Sequence, residues 1–419
     1  MIVRLARKVA LLLASVTLLA ACAGAAADSA QVIRIGAVYP QSGPQAEGAD
    51  ELAGVQIAAQ LVNQDGGING RQIQIVSRNA PTAADGPAAV DHLVDQGISV
   101  IFGTYGSTQS LTASAEASKR GATYLETGAV ADAVTGRGLP GILRTVATGS
   151  TLGRNGARWA HDFVIPGFGL TTSSARVVVL YEGDQYGSAV GYGSLDEAKA
   201  LGLNVVDTIK YDAASVDYSR LAARVLGDRP DVILTAAYLQ DAVAFRQAAI
   251  AEHIPLRTIV GTSSAYCRQD FGDALGQDAV GLFASDKPDE NIRLDGLLPA
   301  ARSLHDRAVS AYHARFGKLM DAPAVSGFVG AWVMLHDILP RARSLNRPDV
   351  WKAAMALDLP QGSEINGAGV QFAPAGAPDA GQNRRAVSVI WEWVGPRQRA
   401  VVYPPAYATT QPRIIQAIT

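Results

Sequence analysis

The sequence has little cysteine, few aromatic residues and almost no excess of charge. Two cysteines, Cys22 and Cys267, occur among 419 residues, and aromatic residues make up 6% of the chain. Two cysteines allow at most one disulfide, so stability must come from a large hydrophobic core, for which 48% apolar residues are available. The formal net charge of −2 argues against nucleic acid or an anionic membrane surface as a partner, because both attract a basic face.

Motifs of the common catalytic classes are absent as well. The chain has no G-x-S-x-G elbow, no H-E-x-x-H pair and no G-x-x-x-x-G-K-[ST] loop, and the glycines after the first predicted strand do not form G-x-G-x-x-G. The histidines lack metal-ligand spacing, so surface or core roles are expected for all of them. They are His92, His161, His253, His305, His313 and His336. We therefore predict no enzyme, no cofactor and no metal site.

The N-terminus has the three parts of an export signal. Positive residues precede an apolar run at residues 9–19, which is too short for a bilayer core that needs about 20 residues. The run leads into L-A-A-C, which ends at Cys22 and resembles the bacterial lipoprotein signal. We predict a signal peptide at residues 1–21, a lipid on Cys22 and a tether at residues 22–30, with an ordinary cleaved signal as the alternative. Lipidation leaves Cys267 unpaired, as a small buried residue.

The remaining chain is too long for one ordinary core, and two domains are expected. Strand, loop and helix alternate in a pattern that is typical of parallel sheets with helices on both faces. A second series of the same kind follows the first, and late helices come after it. We predict an α/β fold with two Rossmann-like lobes. The predicted segments are residues 31–147 with 286–362 for the N-terminal lobe, and residues 148–285 with 363–419 for the C-terminal lobe.

Polar and aromatic residues follow several predicted strands, at the sheet edge where open parallel sheets bind ligands. Ser107 and Thr108 lie where a loop becomes a helix, so hydroxyl and free N–H groups are available there for a carboxylate. The alternative is that they cap that helix. Tyr186 and Tyr238 occupy equivalent loops of the second series and offer a flat apolar wall with hydroxyls. The alternative for both is burial against the other lobe.

Several ordered segments resemble one group of proteins. IRIGAVYPQSGPQAEGAD at residues 33–50 and GVQIAAQLVNQDGGINGRQIQIV at residues 54–76 are followed by VIFGTYGSTQS, YEGDQYGSAV, DYSRLAARV and AAYLQDAVAFRQA. Together they resemble the solute-binding proteins of ABC importers, in the branched-chain amino-acid (Leu/Ile/Val-binding) group with the type I periplasmic fold. The resemblance covers residues 33–403. It implies two lobes that are joined by three crossovers and close on a solute by hinge motion.

The resemblance also implies which residues contact the solute. The contacts of that group to the solute carboxylate fall at Ser107 and at the loop from Gly128 to Val130. Its aromatic contacts from the second lobe fall at Tyr186 and Tyr238.

This sequence departs from the group at three positions. The acidic residue that often meets the solute ammonium aligns with Ser263, a threonine aligns with Val130, and an aromatic residue aligns with Gly48. An ammonium taken out of water needs a carboxylate or carbonyl groups. If the ligand is zwitterionic, we therefore expect one of three acids to contact it. These acids are Glu47, Glu126 and Asp241. Otherwise the ligand lacks an ammonium, as an amide, a small carboxylate or an aromatic acid does.

The sequence therefore predicts an exported, lipid-anchored, monomeric receptor that delivers a small solute to ABC permease and ATPase subunits. The resemblance places it on the extracellular or periplasmic face of the cell membrane, which it meets only through the lipid anchor. A ligand sensor of the same fold, signalling to a membrane kinase or chemoreceptor, is the alternative. Neighbouring genes discriminate the two. An enzyme on this scaffold has no motif to support it.

Overall fold

The first sheet is built from the N-terminal part of the chain. The computed structural model describes residues 32–43 and 45–416. The strands of this sheet are β1 (Val32–Tyr39), β2 (Gln72–Asn79), β3 (Val100–Gly103), β4 (Thr123–Glu126) and β5 (Ile142–Arg144). They are all parallel, in the order β2-β1-β3-β4-β5. Residues of β3 and β4 are buried throughout, as expected for strands that are covered on both faces.

Helices cover both faces of this sheet. They are α1 (Gly48–Gln64), α2 (Asp85–Asp95), α3 (Ser107–Lys119) and the single turn α4 (Ala133–Gly136). In α1 the apolar side chains of Leu52, Val55 and Leu61 recur at helical spacing and are buried.

The second sheet has seven strands. They are β6 (Val177–Glu182), β7 (Val205–Tyr211), β8 (Val232–Ala236), β9 (Thr258–Thr262), β10 (Phe283–Asp286), β11 (Val389–Gly395) and β12 (Gln398–Tyr403). Their order is β12-β11-β10-β9-β8-β6-β7. Strands β6 to β10 are parallel, whereas β11 and β12 form an antiparallel edge that the sequence analysis did not specify.

The helices around the second sheet follow the same strand-to-helix alternation. They are α5 (Gly149–Trp159), which continues through a π turn (Ala160–Val164) into α6 (Ile165–Gly167), then α7 (Gln185–Ala200), α8 (Tyr218–Asp228), α9 (Leu239–Ala251) and α10 (Gln269–Leu275). Short 3₁₀ turns at Gly276–Ala279 and Leu294–Gly296 precede the late helices.

The late helices return to the first lobe. They are α11 (Pro299–Phe316), α12 (Ala322–Trp332), its π extension (Val333–Ile338) with a 3₁₀ turn (Leu339–Arg341), and α13 (Arg347–Met355). Side chains of these helices, such as Tyr312, Phe328 and Val350, share one core with β1 and α1. A Cβ on Gly54 of α1 would lie 1.9 Å from the carbonyl oxygen of Ala324, so glycine permits the close approach of α1 and α12.

The chain therefore crosses between the lobes three times, after β5, after β10 and before β11. This confirms the predicted α/β fold with two lobes and three crossovers. The exact segment limits stay predictions. The cores extend past them, since Phe372 packs in the core of the first lobe, and Ile292 and Leu297 pack in the core of the second.

One described segment, Ala322–Arg341, is long and apolar enough to cross a membrane by length and composition. However, 94% of the apolar window lies buried inside the protein. The burial identifies it as a core helix that packs against α1.

Candidate ligand-binding cleft

Loops from both lobes enclose a small cavity at the carboxyl ends of the parallel strands. Six residues that the sequence analysis singled out line this one cavity. They are Ser107, Gly128, Val130, Tyr186, Tyr238 and Ser263. The first three come from the loops after β3 and β4, and the others from the loops after β6, β8 and β9. The cavity is therefore completed only when the two lobes meet.

Ser107 is the first residue of α3 and is 2% exposed. The N-cap position belongs to Gly106, and no side chain caps this helix. Ser107 Oγ instead accepts a hydrogen bond of 3.1 Å from the backbone N–H of Ala131. The capping alternative is therefore wrong for Ser107, and the positive end of α3 is open toward the cavity.

Tyr186 and Tyr238 form the aromatic wall that the sequence analysis expected. Their ring centroids lie 5.2 Å apart, and Tyr186 is 2% exposed. The Tyr186 hydroxyl bonds to the carbonyl oxygen of Ser263, and the Tyr238 hydroxyl donates to Asp184 Oδ2 at 2.6 Å. Burial raises the pKa of both phenols well above its usual value, so both stay neutral donors. These partners all belong to the second lobe, so the wall is held by contacts within that lobe alone.

The other four candidates do not line the cavity. Thr108 is half-buried one residue further along α3, and Glu47 is half-buried just before α1. Asp241, in the first turn of α9, accepts a hydrogen bond of 3.0 Å from the Tyr218 hydroxyl. Glu126 is buried beneath the cavity wall. The hypothesis that one of the three acids meets an ammonium stays untested, but the lining of the cavity gives it no support.

Glu126 has a different place in the site, as an acceptor for the loop after β4. Its Oε1 accepts hydrogen bonds from the backbone N–H groups of Thr127, Gly128 and Ala129 at 3.0, 2.9 and 2.8 Å. Its Oε2 accepts from the Thr104 N–H at 2.8 Å. Both carboxyl oxygens of Glu126 therefore accept hydrogen bonds from the backbone. In this way Glu126 holds the loop after β4, and the other side of that loop faces the cavity.

Glu51 lies directly behind Gly128. A Cβ at Gly128 would come within 2.0 Å of Glu51 Oε2, so any larger residue would displace the loop or the carboxyl. The Thr127 hydroxyl bonds to Glu51 Oε1, and burial with the nearby Glu126 raises the pKa of Glu51 well above its usual value. Burial and the neighbouring carboxyl therefore favour the protonated form of Glu51.

Sequence reasoning missed several residues of the cavity wall, and Lys287 is the most informative. It lies directly after β10, is 4% exposed, and lines the cavity with Tyr105, Gly106 and Ser264. Its position after a strand of the parallel sheet was the available signal, since the same rule identified Tyr238.

A second, larger polar cleft of about 280 Å³ adjoins the small cavity and shares Tyr105, Ser263, Ser264 and Lys287 with it. Its charged side chains are mostly paired: Lys318 with Asp50, and Arg268 with Asp270 at 2.8 Å. Cys267, predicted as a small buried residue, is buried here. Its thiol donates to Asp286 Oδ2 at 2.6 Å, and burial raises its pKa well above the usual value.

The buried acids predict how stability depends on pH. Burial raises the pKa of Glu126 to about 7 and that of Asp321 to about 6, and it also raises the pKa of Glu51 well above its ordinary value. The folded protein thus holds protons that the unfolded chain releases near pH 4 to 4.5. Stability contributed by these protonated groups is complete below that pH and falls as pH rises through about 7. We expect the ligand-free melting temperature to be higher at pH 5 than at pH 8, and Glu51→Gln to reduce the difference. A melting temperature that rises from pH 5 to 8 contradicts this.

The chain is similar in sequence to known proteins along most of its length. A family model described as periplasmic binding protein matches residues 32–389. The Leu/Ile/Val-binding protein homolog 8 of Brucella abortus (strain 2308) is 30% identical over 386 residues, which cover 91% of this chain and 93% of that protein.

Solved structures share the fold. The branched-chain amino acid transporter substrate binding protein LivJ of Streptococcus pneumoniae, in complex with isoleucine, matches with a TM-score of 0.71 at 19% identity. That match covers 89% of this chain and 100% of the other. A solute binding protein of an ABC transporter from R. palustris, in complex with benzoate, has a TM-score of 0.70 at 17% identity, with 92% and 99% covered. At such identities the likeness establishes the fold and transfers neither ligand.

Proposed function

The chain belongs to the periplasmic binding protein family, and on that premise we propose that it captures a small solute bearing a carboxylate and delivers it to an ABC importer. The observation that carries the proposal is the convergence of six post-strand residues from both lobes on one cavity. The open N-terminus of α3 and the Tyr186–Tyr238 wall suit a carboxylate and a flat or apolar body, respectively. The relatives named for leucine, isoleucine and valine, and the neighbours that hold isoleucine or benzoate, support the same choice, because all these solutes have a carboxylate.

Capture follows from the two-lobe architecture. A solute docks first on the loops of one lobe, and hinge closure then adds the contacts of the other. Because a ligand favours the state that it binds more tightly, the closed form becomes dominant when solute is present. The transporter can then recognise the closed form, which is dominant only when solute is bound.

The lipid anchor at Cys22 is part of the same proposal, although Cys22 lies outside the described residues. Acyl chains contribute about 0.8 kcal/mol per buried CH₂, which holds a receptor near its permease without a spanning helix. The mass of the mature N-terminal peptide tests the anchor, and an unmodified cysteine or a cleavage point elsewhere would exclude it.

Tyr186→Ala tests the binding site. We expect the variant to bind about 10- to 100-fold more weakly, because it removes an aromatic wall worth a few kcal/mol of burial and stacking. Calorimetric titration measures the effect, with whichever of leucine, an aliphatic amide or benzoate raises the wild-type melting temperature most. Tyr192→Ala is the matched control, since Tyr192 lies on the same helix, α7, and is 56% exposed. Unchanged affinity in a folded Tyr186→Ala protein would reject the site.

A further inference from the structure

Among the described residues that line the small cavity, Lys287 is the one charged side chain. The rest of the lining consists of neutral hydroxyls, phenols, glycines and one valine. No described carboxylate lies within 4 Å of Lys287 Nζ, which has one hydrogen bond, of 3.0 Å, to the carbonyl oxygen of Gly128. An ammonium has three N–H donors, so two remain for another acceptor.

A buried ammonium without a nearby carboxylate is costly unless something compensates its charge. Glu51 lies behind the cavity wall, where burial and the nearby Glu126 raise its pKa, while the charge of Lys287 acts in the opposite direction. The open N-terminus of α3 lines the same cavity and adds partial positive charge. The lining thus presents hydrogen-bond donors and positive charge, which favour an anionic group.

The same contacts make this cavity unfavourable for an ammonium group. An ammonium needs acceptors, and the carbonyl oxygen of Gly128 already accepts from Lys287. The carbonyl oxygen of Ser263 already accepts from the hydroxyl of Tyr186, so each of these two carbonyls has one lone pair left. A second cation beside Lys287 would also meet like-charge repulsion in a water-poor site.

One nearby acid favours the opposite conclusion, that an ammonium group could bind. Asp286 lies beside Lys287, is 2% exposed and lines the adjoining polar cleft, where its Oδ1 has no hydrogen-bond partner. An amino acid that reached from the small cavity into that cleft would place its ammonium there. The ammonium would still pass Lys287, which lines both spaces, and Asp286 does not line the small cavity.

We propose that Lys287 makes the cleft selective for small organic acids that carry no ammonium group. Lys287 and the N-terminus of α3 hold the ligand carboxylate from the two lobes, and the Tyr186–Tyr238 wall contacts its body. This inference rests on the proposed solute-binding function and specifies the ligand class of the same site.

Matched pairs of probes test the ligand class directly. Leucine, 4-methyl-2-oxopentanoate and 4-methylpentanoate share a side chain and a carboxylate and differ in the ammonium. Phenylalanine and phenylacetate or benzoate form an aromatic set. We expect the full-length mature protein to bind at least one of the acids 10-fold or more tightly than its amino-acid partner in calorimetric titration. Amino acids that bind as tightly as the acids, or more tightly, overturn the proposal and leave the solute-binding function intact. If the protein binds neither the acids nor the amino acids, the result counts against both the ligand class and the solute-binding function.

Variants identify the residue responsible. Lys287→Met is expected to weaken binding of the preferred acid about 10- to 100-fold, the usual range for a charge-assisted hydrogen bond. It should weaken amino-acid binding less or strengthen it, because the Gly128 carbonyl is freed. Lys287→Arg keeps the charge and should retain most of the affinity, and the exposed Lys199→Met is the charge-matched control. If Lys287→Met weakens the binding of acids and amino acids equally, Lys287 does not select the ligand class. Tight leucine binding that Asp286→Asn abolishes would also overturn the assignment.

Discussion

Glu126→Leu is expected to lower the free energy of unfolding by at least about 3 kcal/mol. The leucine side chain fills most of the space but leaves the N–H groups of Thr104, Thr127 and Gly128 without the carboxylate that accepts from them. Each buried donor that loses its acceptor costs about 1–3 kcal/mol. Solute affinity should fall as well, because these donors hold the loop that carries Gly128 and Val130. Urea unfolding, followed by tryptophan fluorescence, measures the loss of stability.

Two further variants sharpen that experiment. Glu126→Gln keeps one carbonyl oxygen that can accept from part of the loop. We therefore expect its free energy of unfolding to fall by less than that of Glu126→Leu. Glu116→Gln, in an ion pair with the exposed Lys119 on α3, should change stability by less than about 1 kcal/mol. If Glu126→Leu unfolds at the wild-type urea concentration, the loop does not depend on this carboxylate.

Arg144→Met is expected to cost about 2–4 kcal/mol of stability. Arg144 is fully buried at the end of β5, and burial lowers its pKa to about 10, so it remains charged at neutral pH. Its guanidinium donates to Gln382 Oε1 at 2.5 Å and to the Ala131 carbonyl at 2.6 Å. Methionine removes both of these hydrogen bonds to a charged group and leaves each acceptor with one other donor, the Val134 N–H for the Ala131 carbonyl and the Thr135 hydroxyl for Gln382 Oε1. The loss of each bond costs about 1–2 kcal/mol.

The position of Arg144 couples this loss to binding. Ala131 ends the cavity loop, and Gln382 belongs to the third crossing of the chain between the lobes. We therefore expect Arg144→Met to weaken solute binding in the fraction that remains folded, which calorimetry at low temperature measures. Arg343→Met, whose side chain is 82% exposed beside Asp349, is the control and should alter neither quantity. Wild-type stability and affinity in Arg144→Met would show that the contacts across the crossing are dispensable.

Much of the fold was predictable because its signals are local. Apolar residues at helical spacing identify α1, and the buried run of β6 identifies a strand covered on both faces. Positions that line the cavity were predictable for a related reason, since parallel strands bring their carboxyl ends to one edge of the sheet. Ser107, Tyr186 and Tyr238 each follow such a strand, and all three line the same cavity.

Side-chain direction was not predictable in the same way. Glu126 ends β4 as Lys287 follows β10, and both are charged residues at the expected edge of a sheet. One points beneath its own loop and the other lines the cavity. That difference depends on the twist of each strand end and on the facing lobe, which is distant in the chain.

The sequence by itself therefore determined the two-lobed α/β architecture and the loops that meet at the cleft. The reason is that the apolar periodicity and the order of strands along the chain can be read from residues that are close in sequence. Only the tertiary structure decided which charged side chains line the cavity. Burial selects among acids and bases according to the partners that packing brings near: Glu126 finds four backbone donors, whereas Lys287 finds one carbonyl oxygen across the cleft. Ser263 aligns with a position where the related group often has an acid. In the folded chain, the charged side chain that lines the same cavity is the cation Lys287.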